Sequence, residues 1–361
     1  MQAKLYQEIG IYCFGRGIFH KTPRTGIEVG EKDLFLMKEG DFILQVTFAW
    51  EGAIAIVSAA DDGMYGSTRY PTFRVNENRC VPHFLLNYLR TPEGLKQLIS
   101  ICPGSAGRNR VLSIRRISEV LVPLPSLVEQ RRIVARIDEL SAQIHEARGL
   151  RKETEGDLNL LLASAHRQIA VGAPTKPLIE VAPLNRRPVT VEPERNYPQI
   201  AVRSFGRGTF HKPPLIGNEV TWEKPFLVKA GDILVSNIKA WEGALAVAGP
   251  EDDGRFGSHR YLTCVPIKGV ATARFVCFHL LTPEGLHEVG EASPGSADRN
   301  RTLSAKAFMQ IPVPVPDYSQ QLWFDSLCKE VDKLKRLQSV TAADLDALPP
   351  SVLSKAFAGE L

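Results

Sequence analysis

The spacing of apolar residues divides this chain into stretches of two kinds. In the first kind, runs of three or four apolar residues alternate with turn signals. Leu34-Phe35-Leu36, Glu39-Gly40-Asp41 and Phe42-Ile43-Leu44 form one such series, and Phe226-Leu227-Val228, Ala230-Gly231-Asp232 and Ile233-Leu234-Val235 form another. Short apolar runs bounded by Gly and Asp predict strands joined by tight turns. Leu245 to Ala248 predicts a further strand, closed by Gly249-Pro250-Glu251-Asp252-Asp253-Gly254. Phe275, Phe278 and Leu281 stand three apart and predict a helix over 274–281, with a counterpart over 83–89. In the second kind the period lengthens. Ile133, Ile137, Leu140, Ile144 and Ala147 alternate by four and three, as do Phe324, Val331, Leu345 and Val352 with Leu327, Leu334 and Leu348. The second series is interrupted by Gln338 and Thr341. Each is the seam of a long amphipathic helix. Both start after a Pro-rich border, Pro123-Leu124-Pro125 or Pro312-Val313-Pro314-Val315-Pro316. Helices of this length, roughly 60 Å at 1.5 Å per residue, are too long for one small domain. They pair with each other in an antiparallel sense, or each packs on its own domain.

The same words recur at a fixed offset of 191 residues. Phe14-Gly15-Arg16-Gly17 returns as Phe205-Gly206-Arg207-Gly208, and Ala49-Trp50-Glu51-Gly52-Ala53 as Ala240-Trp241-Glu242-Gly243-Ala244. Thr91-Pro92-Glu93-Gly94-Leu95 returns as Thr282-Pro283-Glu284-Gly285-Leu286. Gly104-Ser105-Ala106-Gly107-Arg108-Asn109-Arg110 returns as Gly295-Ser296-Ala297-Asp298-Arg299-Asn300-Arg301. A period this long marks a duplication rather than a solenoid array. It predicts internal pseudo-twofold symmetry and suits a partner with two equivalent faces. The Pro-rich stretch from Val171 to Pro198 reads as a linker into the second copy. The first copy has no counterpart, so its recognition unit is expected to be shortened at the N-terminus.

Composition adds limits. In 361 residues, 44% hydrophobic and 23% charged, there is enough apolar material for packed cores, and a net charge of +4 permits nucleic-acid binding without requiring it. The six cysteines form no Cys-x-x-Cys pair, and three of them align with Ser or Ala in the other copy. They read as free thiols of a cytoplasmic protein with no membrane association. There is no phosphate loop, no His-Glu-x-x-His and no Gly-x-Ser-x-Gly, so no common catalytic class is supported. Asp61-Asp62 and Asp252-Asp253 recur beside glycine and read as solvated turns rather than a metal site.

What recurs instead is basic and polar. Arg16, His20, Lys21 and Arg69 match Arg207, His211, Lys212 and Arg260, and Arg108, Asn109 and Arg110 match Arg299, Asn300 and Arg301. Arg forks to guanine, Asn pairs with adenine and Lys meets phosphate, so these residues in Gly-rich loops are candidates for DNA contact. Arg69 and Arg260, placed on a strand, could equally make structural ion pairs. Arg203, Asn237, Lys239 and His259 complete the candidate set; the first copy replaces them with Tyr12, Gln45-Val46-Thr47-Phe48 around the middle pair, and Thr68. Trp50 and Trp241 read as packing residues.

The run Val122-Pro123-Leu124-Pro125-Ser126-Leu127-Val128-Glu129-Gln130-Arg131-Arg132-Ile133 resembles the border that opens the central conserved helix of type I restriction-modification specificity subunits. Leu353-Ser354-Lys355-Ala356-Phe357-Ala358-Gly359-Glu360-Leu361 is similar to that family's usual ending. The resemblance covers nearly the whole chain. It implies an α+β fold: two mixed α/β target-recognition domains joined by two long helices that pair as an antiparallel coiled coil. The expected boundaries are 1–126 for the first recognition domain, 127–170 for the first spacer helix, 171–317 for linker and second recognition domain, and 318–361 for the second spacer helix. It further implies a non-catalytic subunit that reads a bipartite site in double-stranded DNA. Two methyltransferase subunits would dock on it and restriction subunits would join, with S-adenosylmethionine, ATP and magnesium belonging to those partners. A second reading is a degenerate specificity subunit that serves as an interaction scaffold. One departure stands out: the second border reads Ser319-Gln320-Gln321, without the Glu-Gln-Arg of the first.

Overall fold

The computed structural model describes residues 4–104, 110–221, 224–295 and 301–361. They fall into two compact units, one of residues 1–151 with 339–361 and one of 152–338. The fold is α+β.

In the second unit, strand Ile233–Ser236 lies between Leu245–Val247 and Tyr261–Cys264, all antiparallel. All four of its residues are buried, because both faces of this small sheet are covered. Ile233 and Val235 pack toward Val276 and Leu280 of helix Ala273–Leu280. Leu234 faces the other way, toward Ile200, Val202, Val228 and Ala246. Period-2 alternation thus feeds two cores from one strand. A second sheet orders Thr209–Ile216, Asn196–Val202, Phe256–Gly257 and Phe226–Leu227. Phe226–Leu227 and Ile233–Ser236 are consecutive in sequence yet belong to different sheets.

The first unit repeats this plan. Phe42 and Leu44 pack toward Leu89 and Leu98, while Ile43 faces Ile9, Ile11 and Met37. Even the register is copied. Ile9 pairs with His20 and Ile11 with Ile18, as Ile200 pairs with His211 and Val202 with Thr209.

The two long helices are Leu127–Ala170 and Tyr318–Ala358, and each contributes a stretch to both units. In the first unit, Ile133 and Ile137 cluster with Leu353 and Ala356. In the second, Leu158, Leu162 and Ile169 cluster with Phe324, Cys328 and Val331. Rising numbers on one helix meet falling numbers on the other, so the pairing is antiparallel in each unit. The seam is not apolar throughout. Leu334 and Leu348, expected in it, are 48% and 43% exposed. Polar bonds hold the helices instead: Arg148 to Asp346 at 2.8 Å and Arg151 to Thr341 at 2.9 Å in the first unit, and Lys335 to Asn159 at 2.7 Å in the second. The physical reason is the break in the heptad at Gln338 and Thr341, which removes the apolar layers that would bury the flanking leucines.

Each long helix is fastened to its sheet-bearing portion by one buried glutamine. Gln130 accepts from the Val81 amide at 2.7 Å and donates to the carbonyls of Arg79 and Pro125. Gln321 accepts from the Thr272 amide at 3.0 Å and donates to Val270 and Pro316. Both are fully buried. The second border therefore keeps the residue that makes these contacts, and its missing Glu falls at the position of Glu129, which in the first border pairs with Arg132 on the surface.

The equivalence extends to the helix ends. Phe357 stacks near Phe84 and Tyr88 in the first unit. In the second, His166 takes that place, 4.9 Å from Phe275 and 5.5 Å from His279.

The stretch expected to be a linker is part of the second unit's core. Thr175–Pro177 pairs antiparallel with Pro312–Pro314, and Leu178, Val181 and Ala182 of the following helical turn are fully buried. Its aliphatic side chains, spaced one and three apart, seat on the sheet. All six cysteines are free, and burial pushes the thiols of Cys264, Cys277 and Cys328 up to about 12. Among the described residues no helix is long and apolar enough to cross a membrane, and no cluster of His, Cys, Asp or Glu could hold a metal ion.

Candidate nucleic-acid interface

In both units the Phe-Gly-Arg-Gly loop is clamped to the Ala-Trp-Glu-Gly-Ala turn. The Phe14 amide donates to the Glu51 carbonyl at 2.8 Å and the Gly15 amide to Gly52 at 3.0 Å. Phe205 donates to Glu242 at 2.7 Å and Gly206 to Gly243 at 2.9 Å. The clamp forces an uncommon backbone. Phe14 and Phe205, with φ of 61° and 63°, are the non-glycine residues in the left-handed region among those described, where a side chain meets steric cost. Their rings are 71% and 69% exposed. A bulky aromatic held in a strained conformation and turned to solvent, twice, makes both residues candidates for the interface. Sequence reasoning missed both, because a Phe beside Gly carries no signal of its backbone angle. Arg16 lies 5.2 Å over Tyr12, and Arg207 lies 5.4 Å over Phe205.

The second unit also opens a polar cleft of about 670 Å³, lined by Gln199, Lys212, Ser236, Ile238, His259 and Arg260 among others. Lys212, His259 and Arg260 make no ion pair among the described residues. Arg260 and its counterpart Arg69 sit in exposed turns after the strands ending at Gly257 and Ser67, not on strands as expected. A Ser hydroxyl two residues earlier accepts from each Arg amide at 3.4 Å, which shapes the turn and leaves the guanidinium outward. Asn237, between the lining residues Ser236 and Ile238, has a buried side-chain oxygen with no hydrogen-bond partner among the described residues.

The first unit differs at one decisive place. Position 8 carries a buried Glu where the second unit has Gln199. Glu8 takes an ion pair from Lys21 at 3.4 Å and another from Arg24. Lys21, the counterpart of Lys212, is thereby neutralised in place.

Other candidates have internal partners. His20 and His211 each place Nε2 2.8 Å from a buried carboxylate, of Asp61 and Asp252. This corrects the expectation of two solvated acidic turns. Asp62 and Asp253 are exposed, but Asp61 and Asp252 are buried because each caps its own turn and receives the histidine. Lys239 pairs with Glu242 at 2.6 Å. Arg203 donates to the Thr209 carbonyl and lies 4.8 Å over Phe210. Arg110 stands 5.6 Å over Trp50 and Arg301 5.4 Å over Trp241, so each tryptophan serves as a platform for the arginine that ends the Gly-Ser-Ala loop. Arg108, Asn109, Arg299 and Asn300 lie outside the described residues.

Residues 18–153 match the family described as type I restriction modification DNA specificity domain. The whole chain is similar to one from a structure described as the basis of complex assembly and conformational transition of the type I R-M system. Identity is 23%, covering 99% of this chain and 93% of that one, with a TM-score of 0.71. It is also similar to the HsdS subunit from Thermoanaerobacter tengcongensis, at 22% identity, 99% and 92% coverage and a TM-score of 0.57. Both likenesses are of fold. No curated protein matches the sequence.

Proposed function

We propose that this chain, whose residues 18–153 match the type I restriction modification DNA specificity domain and whose fold is that of such subunits, is a specificity subunit whose two units read the two halves of one bipartite DNA site. The observation that carries this reading is the doubling, at a fixed offset and in one register, of a clamped aromatic loop, an exposed turn arginine and an arginine on a tryptophan. Target choice is this chain's task; methylation and cleavage belong to partner subunits. Methyltransferase subunits dock on the paired long helices and restriction subunits join that complex, bringing S-adenosylmethionine, ATP and magnesium.

In this reading Phe14 and Phe205 meet the duplex, Arg69, Arg110, Arg260 and Arg301 reach base edges, and Lys212 neutralises phosphate. The likeness of the units makes the half-sites related and inversely arranged around an unspecified spacer. Methylome mapping with the gene present and deleted tests this: a modified bipartite motif with related halves should vanish on deletion, and unrelated halves would refute the symmetry. Arg301→Ala should weaken specific binding by about 1–3 kcal/mol; unchanged binding removes it from the interface.

A further inference from the structure

The turn that carries Arg260 is held in part by a residue 73 positions before it. Main-chain bonds fix its two ends: the Tyr261 amide donates to the Ser258 carbonyl at 3.0 Å, and the Asn237 amide to the Arg260 carbonyl at 2.9 Å. The carbonyl between them, that of His259, accepts from the Arg186 guanidinium at 3.0 Å. The same guanidinium lies over the Phe226 ring, 3.6 Å from its centroid. Phe226 is in turn the register partner of Gly257, the residue that precedes the turn. A flat cation can serve both contacts at once, because its face stacks while its edge donates.

The residues on either side of Arg186 are fastened too. The Asn185 amide donates to the Thr263 carbonyl at 2.9 Å, and the Thr263 hydroxyl donates to the Asn185 carbonyl at 2.6 Å. Arg187 grips the buried Asp232 carboxylate at 2.6 and 3.1 Å, and its carbonyl accepts from the Leu227 amide at 2.9 Å. Asn185 therefore ties this strap to strand Tyr261–Cys264 of one sheet, and Arg187 ties it to Phe226–Leu227 of the other. Arg186, between them, reaches the turn. That turn presents His259 and Arg260 to the polar cleft that Lys212 also lines.

We propose that Arg186 is a positioning residue for DNA recognition by the second unit: it fixes the turn and so aims Arg260, without itself reading a base. This rests on the reading that Arg260 meets DNA. The loss on removing Arg186 is then confined to the specific duplex and depends on Arg260. A phosphate contact behaves otherwise, since it strengthens binding to any duplex and steepens the salt dependence.

The test is a double-mutant cycle on the full chain, read by fluorescence anisotropy with the duplex that methylome mapping assigns and a scrambled duplex of the same length. Arg186→Ala and Arg186→Lys should each weaken the specific complex by about fivefold or more, the lower end of one base contact. Affinity for the scrambled duplex and the salt slope should stay unchanged, which also reports that each variant is folded. Neither variant should add a loss where Arg260 is already Ala. Lys keeps the charge but has no plane to stack, so full affinity in Arg186→Lys would overturn the proposal. Wild-type affinity in Arg186→Ala, a matching loss on the scrambled duplex, or a loss undiminished in the Arg260→Ala background would overturn it as well. If Arg260→Ala binds its target as the wild-type chain does, the recognition reading falls with it. If Arg260→Ala weakens binding and the Arg186 variants do not, the positioning role alone falls.

Discussion

His166 and Phe357 occupy equivalent places, and the exchange of a phenyl ring for an imidazole gives the second unit a titratable core. Burial, then the neighbouring His279, holds His166 down to about 4 from 6.5. Burial also lowers His279, against the Pro312 carbonyl and Glu284. A histidine kept neutral by the fold favours the native state above its unfolded value, and that contribution is lost as pH falls toward the folded one. The second unit should therefore lose stability between pH 6.5 and about 4, and His166→Phe, which installs the first unit's residue, should flatten the loss. Denaturant midpoints at pH 7 and 4.5 for both proteins check this; an unchanged pH slope would refute it. Phe205 offers a different separation. Phe205→Gly removes the left-handed strain and should leave stability equal or raise it by about 1 kcal/mol, while duplex affinity falls. A thermal melt and a gel shift on one sample distinguish the two effects.

At the scale of elements, the joint between long helix and sheet rests on Gln130 and Gln321. Replacing either with Leu leaves a buried amide and two carbonyls unpaired, a loss of about 1–3 kcal/mol per orphaned group, read as a lower urea midpoint at unchanged pH. The joint also shows what was legible. Apolar periodicity revealed both long helices and the strands around Phe42 and Ile233, because those side chains must face a core. It did not reveal that Leu334 and Leu348 stay exposed, since a heptad count cannot weigh the polar bonds of Arg148 and Arg151. The Pro-rich stretch was misjudged for a related reason: six prolines suggest a linker, but Leu178 and Val181 between them are core. Arg69 and Arg260 were legible as recurring cations; that they lie on turns, with no ion pair among the described residues, is set by the fold around them. His20 and His211 looked equally basic, and only their closeness to Asp61 and Asp252 shows they are engaged.

For the molecule as a whole, the exchange of Gln199 for Glu8 predicts unequal halves. Removing a cation that meets phosphate lowers the slope of log affinity against log salt by about one. Lys212→Ala should do so on a duplex, whereas Lys21→Ala, already facing Glu8, should barely change it; equal effects would refute the asymmetry. The composition of the first unit has another outcome, in the order of synthesis. Its core takes in Phe357 alongside Phe84 and Tyr88, and its boundary includes 339–361. The unit that leaves the ribosome first thus waits for a segment translated only after all of 152–338. The second unit has every residue it needs by then. A chain ending near position 345 and freed from the ribosome should protect the second unit from protease while the first is still cut, which makes the half written first the last to mature.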